Sequence, residues 1–188
     1  MTRNAIVDAL GVLKAGRIVD PTHLVHPGIQ RFGPFRAMRI ETRYTVAESG
    51  FHVDAPEHFV EGRRTLERIE LEELMLPLFV LHFEDIDDDG VAHCPGWGLD
   101  ALEYLFEERG VTAVGHETLD TDGSADVRAR GFLDCEKYVL ESDHYQVEVM
   151  ANLDKLPSTG GVIFVGLPKF DKFPGFPVCA WAVVPNED

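Results

Sequence analysis

The stretch Glu48-Ser-Gly-Phe-His-Val-Asp-Ala-Pro-Glu-His58 gathers carboxylates and imidazoles at short, even spacing. In an extended strand alternate residues share a face, so Glu48, Gly50, His52 and Asp54 point one way and Ser49, Phe51, Val53 and Ala55 the other. One strand can therefore aim two carboxylates and an imidazole at a single point, which is a ligand set for a divalent cation. Pro56 stiffens the end of the run, and beyond it the chain can turn and bring His58 back over the site. A lone His-x-Asp pair is more often a surface hydrogen bond. Here the polar face is interrupted only by Gly50, and that favours the metal.

The elements that must position these residues read as one α/β domain. The chain has 188 residues with 45% hydrophobic and 27% charged side chains, enough apolar material for a single sizeable core spanning residues 1–188. Residues 3–15 have helical spacing of Ala5, Ile6, Leu10 and Leu13 up to Gly16, and Ile18–His23 reads as a short strand entering a turn. Residues 24–37 read as loop, and Arg36–Val46 as a strand pairing with 48–54. Thr65–Leu74 looks helical or turn-like, with Leu66, Ile69 and Leu74 inward. Leu76–Phe83 is an apolar run that suggests a buried strand. Asp85–Gly90 is an acidic turn without the closing glutamate of a calcium loop. Leu99–Arg109 reads as an amphipathic helix stopped by Gly110, followed by a strand at Val111–Gly115. Residues 123–131 read as loop, and Asp134–Leu140 as a helix with Asp134 as its N-cap. Tyr145–Met150, Gly161–Gly166 and Val178–Val184 alternate like strands.

Composition excludes several classes. The net charge of −16 disfavours nucleic acid and anionic membrane, both of which need a basic face. No run of 18 apolar residues provides a membrane span, and the first residues do not read as a secretory signal. The three cysteines, Cys94, Cys135 and Cys179, are sparse and far apart, which fits a reducing cytoplasm. Cys179 lies in an apolar segment and reads as a core strand residue. There is no Gly-x-Ser-x-Gly elbow and no Gly-x-Gly-x-x-Gly after a strand, so neither a serine hydrolase of that type nor a dinucleotide cofactor is expected.

Several ordered segments resemble the cyclase-like metal-dependent hydrolases, a family that includes bacterial kynurenine formamidase and isatin hydrolase. Gly50-Phe-His-Val-Asp-Ala-Pro-Glu-His-Phe59 is similar to that family's His-x-Gly-Thr-His-x-Asp-x-Pro-x-His-Phe signature. Val19-Asp-Pro-Thr-His23 resembles its opening Asp-Leu-Thr/Ser-His. Glu107–Gly115 resembles its helix–Gly–strand before an acidic loop, and Glu148–Pro157 its Glu-x-Leu-x-Asn-Leu-x-x-Leu-Pro. The resemblance spans residues 17–184 in order. It implies a mixed, partly barrel-like β-sheet flanked by helices and one or two divalent ions, zinc or manganese. It also implies a homodimer or homotetramer. Residue by residue, it implies that His52, Asp54 and Glu148 are ligands, that Asp54 bridges the ions and that His58 is the catalytic histidine. Two positions depart: Glu48 and Glu136 stand where the family has histidines. Carboxylates still ligate, so the expectation is a swap of donor type rather than a dead site.

The chemistry implied is hydrolysis of an amide, lactone or ester bond of a small molecule by cation-activated water, with His58 carrying the proton. A non-catalytic binding member of the same fold and a metal-dependent lyase or ring-closing enzyme are the alternatives. His116 and Glu117 lie just past a strand end, where open α/β sheets place ligands, and are candidates to bind substrate, the alternative being that they only cap the strand end. Phe32, in a Gly/Pro-rich stretch with Phe35, is a candidate to wall an apolar part of the pocket, as are Phe170, Phe173 and Phe176, with core or subunit-contact roles the alternative. His82, His93 and His144 are expected to be structural.

Overall fold

The computed structural model describes residues 9, 12, 13, 15–19, 51–82, 95–168 and 172–185. Expectations on Phe32, on Glu48, on the 36–46 strand, on the acidic turn at 85–90 and on His93 and Phe170 lie outside the described residues. Ala9, Val12, Leu13 and Ala15 are helical, as the spacing predicts.

Among the described residues eight strands form two four-stranded sheets. The first has the order β1-β8-β6-β3, made of β1 (Arg17–Val19), β8 (Cys179–Val184), β6 (Gly161–Gly166) and β3 (Met75–Leu78). All its pairings are antiparallel. The second has the order β4-β5-β2-β7, made of β4 (Ala113–Gly115), β5 (Tyr145–Glu148), β2 (His52–Asp54) and β7 (Gly175–Pro177). Here β4 and β5 are parallel and the rest antiparallel, so the mixed pairing expected of an α/β chain is confined to this sheet. Strict alternation in β2 and β5 sends Phe51, Val53, Ala55, Tyr145 and Val147 into a core shared with Leu66, Ile69, Val165 and Ala180.

Helices follow within the described residues 95–168. Helix α1 (Leu99–Glu103) continues as a π-helical turn over Tyr104–Glu108 and ends at Gly110, whose φ of +64° only glycine adopts freely. Helix α3 (Asp134–Glu141) buries Cys135, Val139 and Leu140 against Leu102, Phe106 and Val114, making a second core. It lies over β5 and over the 3-10 turn Pro56–His58.

Four local readings are corrected. Residues 123–131 are not loop: Ser124–Arg130 is helix α2, closed by Gly131 at φ +73°. Its lack of a buried face removed the apolar periodicity that marks a helix in sequence. Asp134 does not cap α3; it is the first helical residue, and the cap comes from Asp122 as described below. The run Leu76–Phe83 is not a buried strand. It is an edge strand ending at Leu78, with Phe79 and Leu81 exposed, and an edge is where a strand tolerates Pro77. Cys179 is on a strand but exposed, because β8 turns Ala180 and Ala182 inward instead.

Candidate metal centre

Register builds the site. In the β2–β5 ladder His52 stands opposite Glu148, and Asp54 opposite Gln146. Directly opposed residues share a face, so the even positions of both strands converge on the side away from the Phe51/Val53 core. That face would normally be wet. Here α3 and the Pro56–His58 turn cover it, leaving Asp54 1% exposed and Glu136, Glu148 and Gln146 equally buried.

His52 Nε2 lies 3.3 Å from Asp54 Oδ2 and 3.6 Å from Glu148 Oε2. His58 Nδ1 lies 3.5 Å from Asp54 Oδ1. Two groups of donors result, His52/Asp54/Glu148 and Asp54/His58/Glu136, each with ligand atoms within 4.8 Å of one another. Asp54 belongs to both. Glu136 arrives from the first turn of α3, whose start is fixed by Asp122: its two carboxylate oxygens accept the backbone N–H groups of Cys135 and Glu136, both at 2.9 Å. This is an N-cap delivered from another loop. The same burial, with the Asp122 charge, pushes the Cys135 thiol up to about 12 and keeps it inert.

Three carboxylates this close cannot all ionise alone. Burial, then the charges of Asp54 and Glu136, push Glu148 up to about 11. Burial and Asp54 push Glu136 up to about 8. Asp54 goes the other way: burial opposes its ionisation, but its hydrogen bond to His52 and the charges of His52 and His58 hold it below the ordinary range. The negative charge thus sits on Asp54 and the protons on its neighbours. A divalent cation would replace those protons.

Two further observations fit a cation. Asp54 Oδ1 is buried and accepts no hydrogen bond. Gly175, opposite Asp54 on β7, keeps the space beside that oxygen open; a Cβ there would lie 2.6 Å from Oδ1. Two imidazoles and three carboxylates are ordinary donors for manganese or zinc.

His116 is drawn into the network. Its Nε2 lies 3.0 Å from Thr121 Oγ1 and 3.9 Å from Glu148 Oε1, and burial pushes its pKa down to about 4. Glu117 is exposed and turned away: its Oε1 accepts from the Leu153 N–H at 3.0 Å. Phe173 and Phe176 meet edge to face and pack on the first core. His144 lies against the Phe106 ring, whereas His82 is exposed. Beyond the strand, Val149 follows Glu148 at φ +54°, a conformation unfavourable for a β-branched residue. Its N–H to Thr118 O and its burial at 2% exposure hold it there.

Reading the sequence alone overlooks Gln146, Thr121, Asp122 and Gly175. Only Gln146 had a visible signal, since it alternates with Glu148 and so shares its face.

Residues 19–94 match the Cyclase family model, described as "Putative cyclase". The isatin hydrolase of Roseibium aggregatum is 28% identical over 104 residues, 55% of this chain but 39% of that protein. The chain thus spans well under half of that curated relative's length. Isatin hydrolase A from Labrenzia aggregata, solved with benzyl benzoate, superposes with a TM-score of 0.75 at 22% identity, covering 97% of this chain and 99% of the other. A potential metal-dependent hydrolase with cyclase activity superposes at 0.63 and 18% identity, over 90% and 99% of the two chains. Residues 19–94 thus carry a likeness to the Cyclase family model, and the chain as a whole has the fold of these solved structures.

Proposed function

We propose that this chain is a metal-dependent hydrolase that opens an amide, lactone or ester bond of a small molecule. The observation that carries the reading is Asp54, buried, unpartnered at Oδ1 and shared by two donor groups. Isatin hydrolases among its structural relatives support the same class of bond. Held by His52, Asp54, Glu136 and Glu148, with Glu48 as an expected fourth carboxylate, one or two zinc or manganese ions would supply a Lewis acid for activating water and polarising a carbonyl.

The chain's own groups do the rest. His58, whose Nδ1 lies 3.5 Å from Asp54 Oδ1 and whose side chain is 27% exposed at the rim, carries the proton to the leaving amine or alkoxide. The α3 helix excludes water from the carboxylates, which strengthens every charge interaction there. His116 and Phe32 are assigned to the pocket wall. The assembly is a cytoplasmic homodimer or homotetramer acting on a small molecule, without nucleic acid or membrane partners. No described helix is long and apolar enough to cross a membrane.

The grouping of His58 with Asp54 and Glu136 supports a second role for it, as a ligand of the second ion. His58→Asn separates the two: a proton carrier loses turnover and keeps the cation, a ligand loses both. The main test is a screen of N-formyl aromatic amines, isatin-like lactams and small lactones with metal-loaded protein, read by product mass. Gain of one water, abolished by Asp54→Ala, is expected. Metal-loaded protein silent toward every class would favour a binding role instead, and protein that takes up no zinc or manganese would refute the reading.

A further inference from the structure

The buried Gln146 is not explained by packing. It is 0% exposed, stands opposite Asp54 and lies two residues from Glu148 on the same strand face. Its Nε2 donates to Glu148 Oε1 at 2.9 Å and lies 3.4 Å from Asp54 Oδ2. Its Oε1 accepts the hydroxyl of Thr121 at 2.7 Å, and Thr121 is itself 0% exposed. The amide orientation is therefore dictated chemically. The nitrogen side faces two carboxylate oxygens that need donors, and the carbonyl side faces a hydroxyl. The flipped amide would set its carbonyl against both carboxylates.

Gln146 occupies one oxygen of each carboxylate. Of the oxygens it leaves, Asp54 Oδ1 lies 3.5 Å from His58 Nδ1 and Glu148 Oε2 lies 3.6 Å from His52 Nε2, which also sits 3.3 Å from the Asp54 Oδ2 that Gln146 touches. We propose that Gln146, locked by Thr121, is a positioning residue of the metal centre: it aligns the Asp54 and Glu148 carboxylates so that their free oxygens meet the histidines around a cation. This rests on the metal reading above. Groups that hydrogen-bond to metal ligands orient them, and losing one commonly lowers affinity 10–100-fold.

The test is calorimetric titration of Mn2+ into chelator-stripped protein, with thermal unfolding in chelator as a control for folding. Gln146→Leu should weaken Mn2+ binding roughly 10-fold or more. Thr121→Val, which removes the lock and keeps the shape, should weaken it by less, while Thr121→Ser retains the affinity of the parent. In the Gln146→Leu background Thr121→Val should have no further effect, because the lock then has nothing to hold. A purely structural role would lower the melting temperature of both variants and leave affinity and coupling unmoved. Should Gln146→Leu not fold, the Thr121 pair decides. Affinities within about two-fold of the parent for every variant, or Thr121→Ser falling with Thr121→Val, overturn the inference. A parent that binds no Mn2+ overturns the metal reading itself, and the inference with it.

Discussion

The two sheets use the same alternation to opposite ends. In β6 and β8 the inward residues Val165, Ala180 and Ala182 are apolar, and the outward Phe164 and Trp181 are apolar too, stacked with ring centroids 5.3 Å apart. In β2 and β5 one face is equally apolar, but the other carries His52, Asp54, Gln146 and Glu148, and it is covered by α3. Burial in the first sheet gives stability without chemistry. Burial in the second concentrates charge that folding alone would not favour. The difference is what a cation-binding surface requires: a rigid ladder whose polar face is dry.

The comparison can be broken most sharply by removing the cation. Saturating Mn2+ at about a thousand times its Kd should stabilise the protein by about 4 kcal/mol, and Asp54→Ala should abolish the shift. A variant of the first sheet, Phe164→Leu, should keep the whole of it. Thermal unfolding with and without chelator reads both.

Next comes pH. In metal-free protein the raised Glu136 and Glu148 bind protons when folded that they have lost when unfolded. Their contribution is full below about pH 4.5 and falls as pH rises through about 8 and beyond. His116, depressed to about 4, acts oppositely, losing stability as pH falls below about 6.5. Between pH 6.5 and 8 the glutamates dominate, and stability should fall by about 2–3 kcal/mol per unit. Glu136→Gln should flatten that slope and raise metal-free stability by about 1 kcal/mol. A flat profile for the parent would show that these carboxylates are solvated.

The same one-carbon change in each sheet gives a finer contrast. Gly175→Ala places a Cβ 2.6 Å from Asp54 Oδ1 and should weaken Mn2+ binding about 10-fold, worth about 1.4 kcal/mol. Gly161→Ala in β6 meets the Val184 and Leu78 side chains at 3.0 and 3.4 Å and should leave Mn2+ affinity alone. Smallest is Trp181→Leu, expected to cost about 1 kcal/mol through the lost stack, with no change in metal binding.

What was legible in the sequence follows the same division. Alternation around His52 and Asp54 placed them on one face, and the later Glu136 and Glu148 came from the family resemblance; the structure brings all four together with His58. Gly110 marked the end of α1, whereas α2 was hidden because it buries no side chain. The Asp122 cap was not readable, since it acts across 13 residues between separate elements. Gln146 and Thr121, 25 residues apart, meet only because β4 and β5 run parallel and return the chain to the same end of the sheet. Local spacing reports ligands, and topology supplies what orients them.

Val149 illustrates a blind spot for stability screens. Its strained backbone directly after Glu148 is offset by its buried side chain. Val149→Gly would relieve the strain and lose the burial, two changes of similar size and opposite sign. Melting temperature would scarcely register the exchange. The loss would appear in how tightly the end of β5 holds Glu148, so libraries of this chain selected for thermal robustness alone can drift at position 149 while the cation site loosens unobserved.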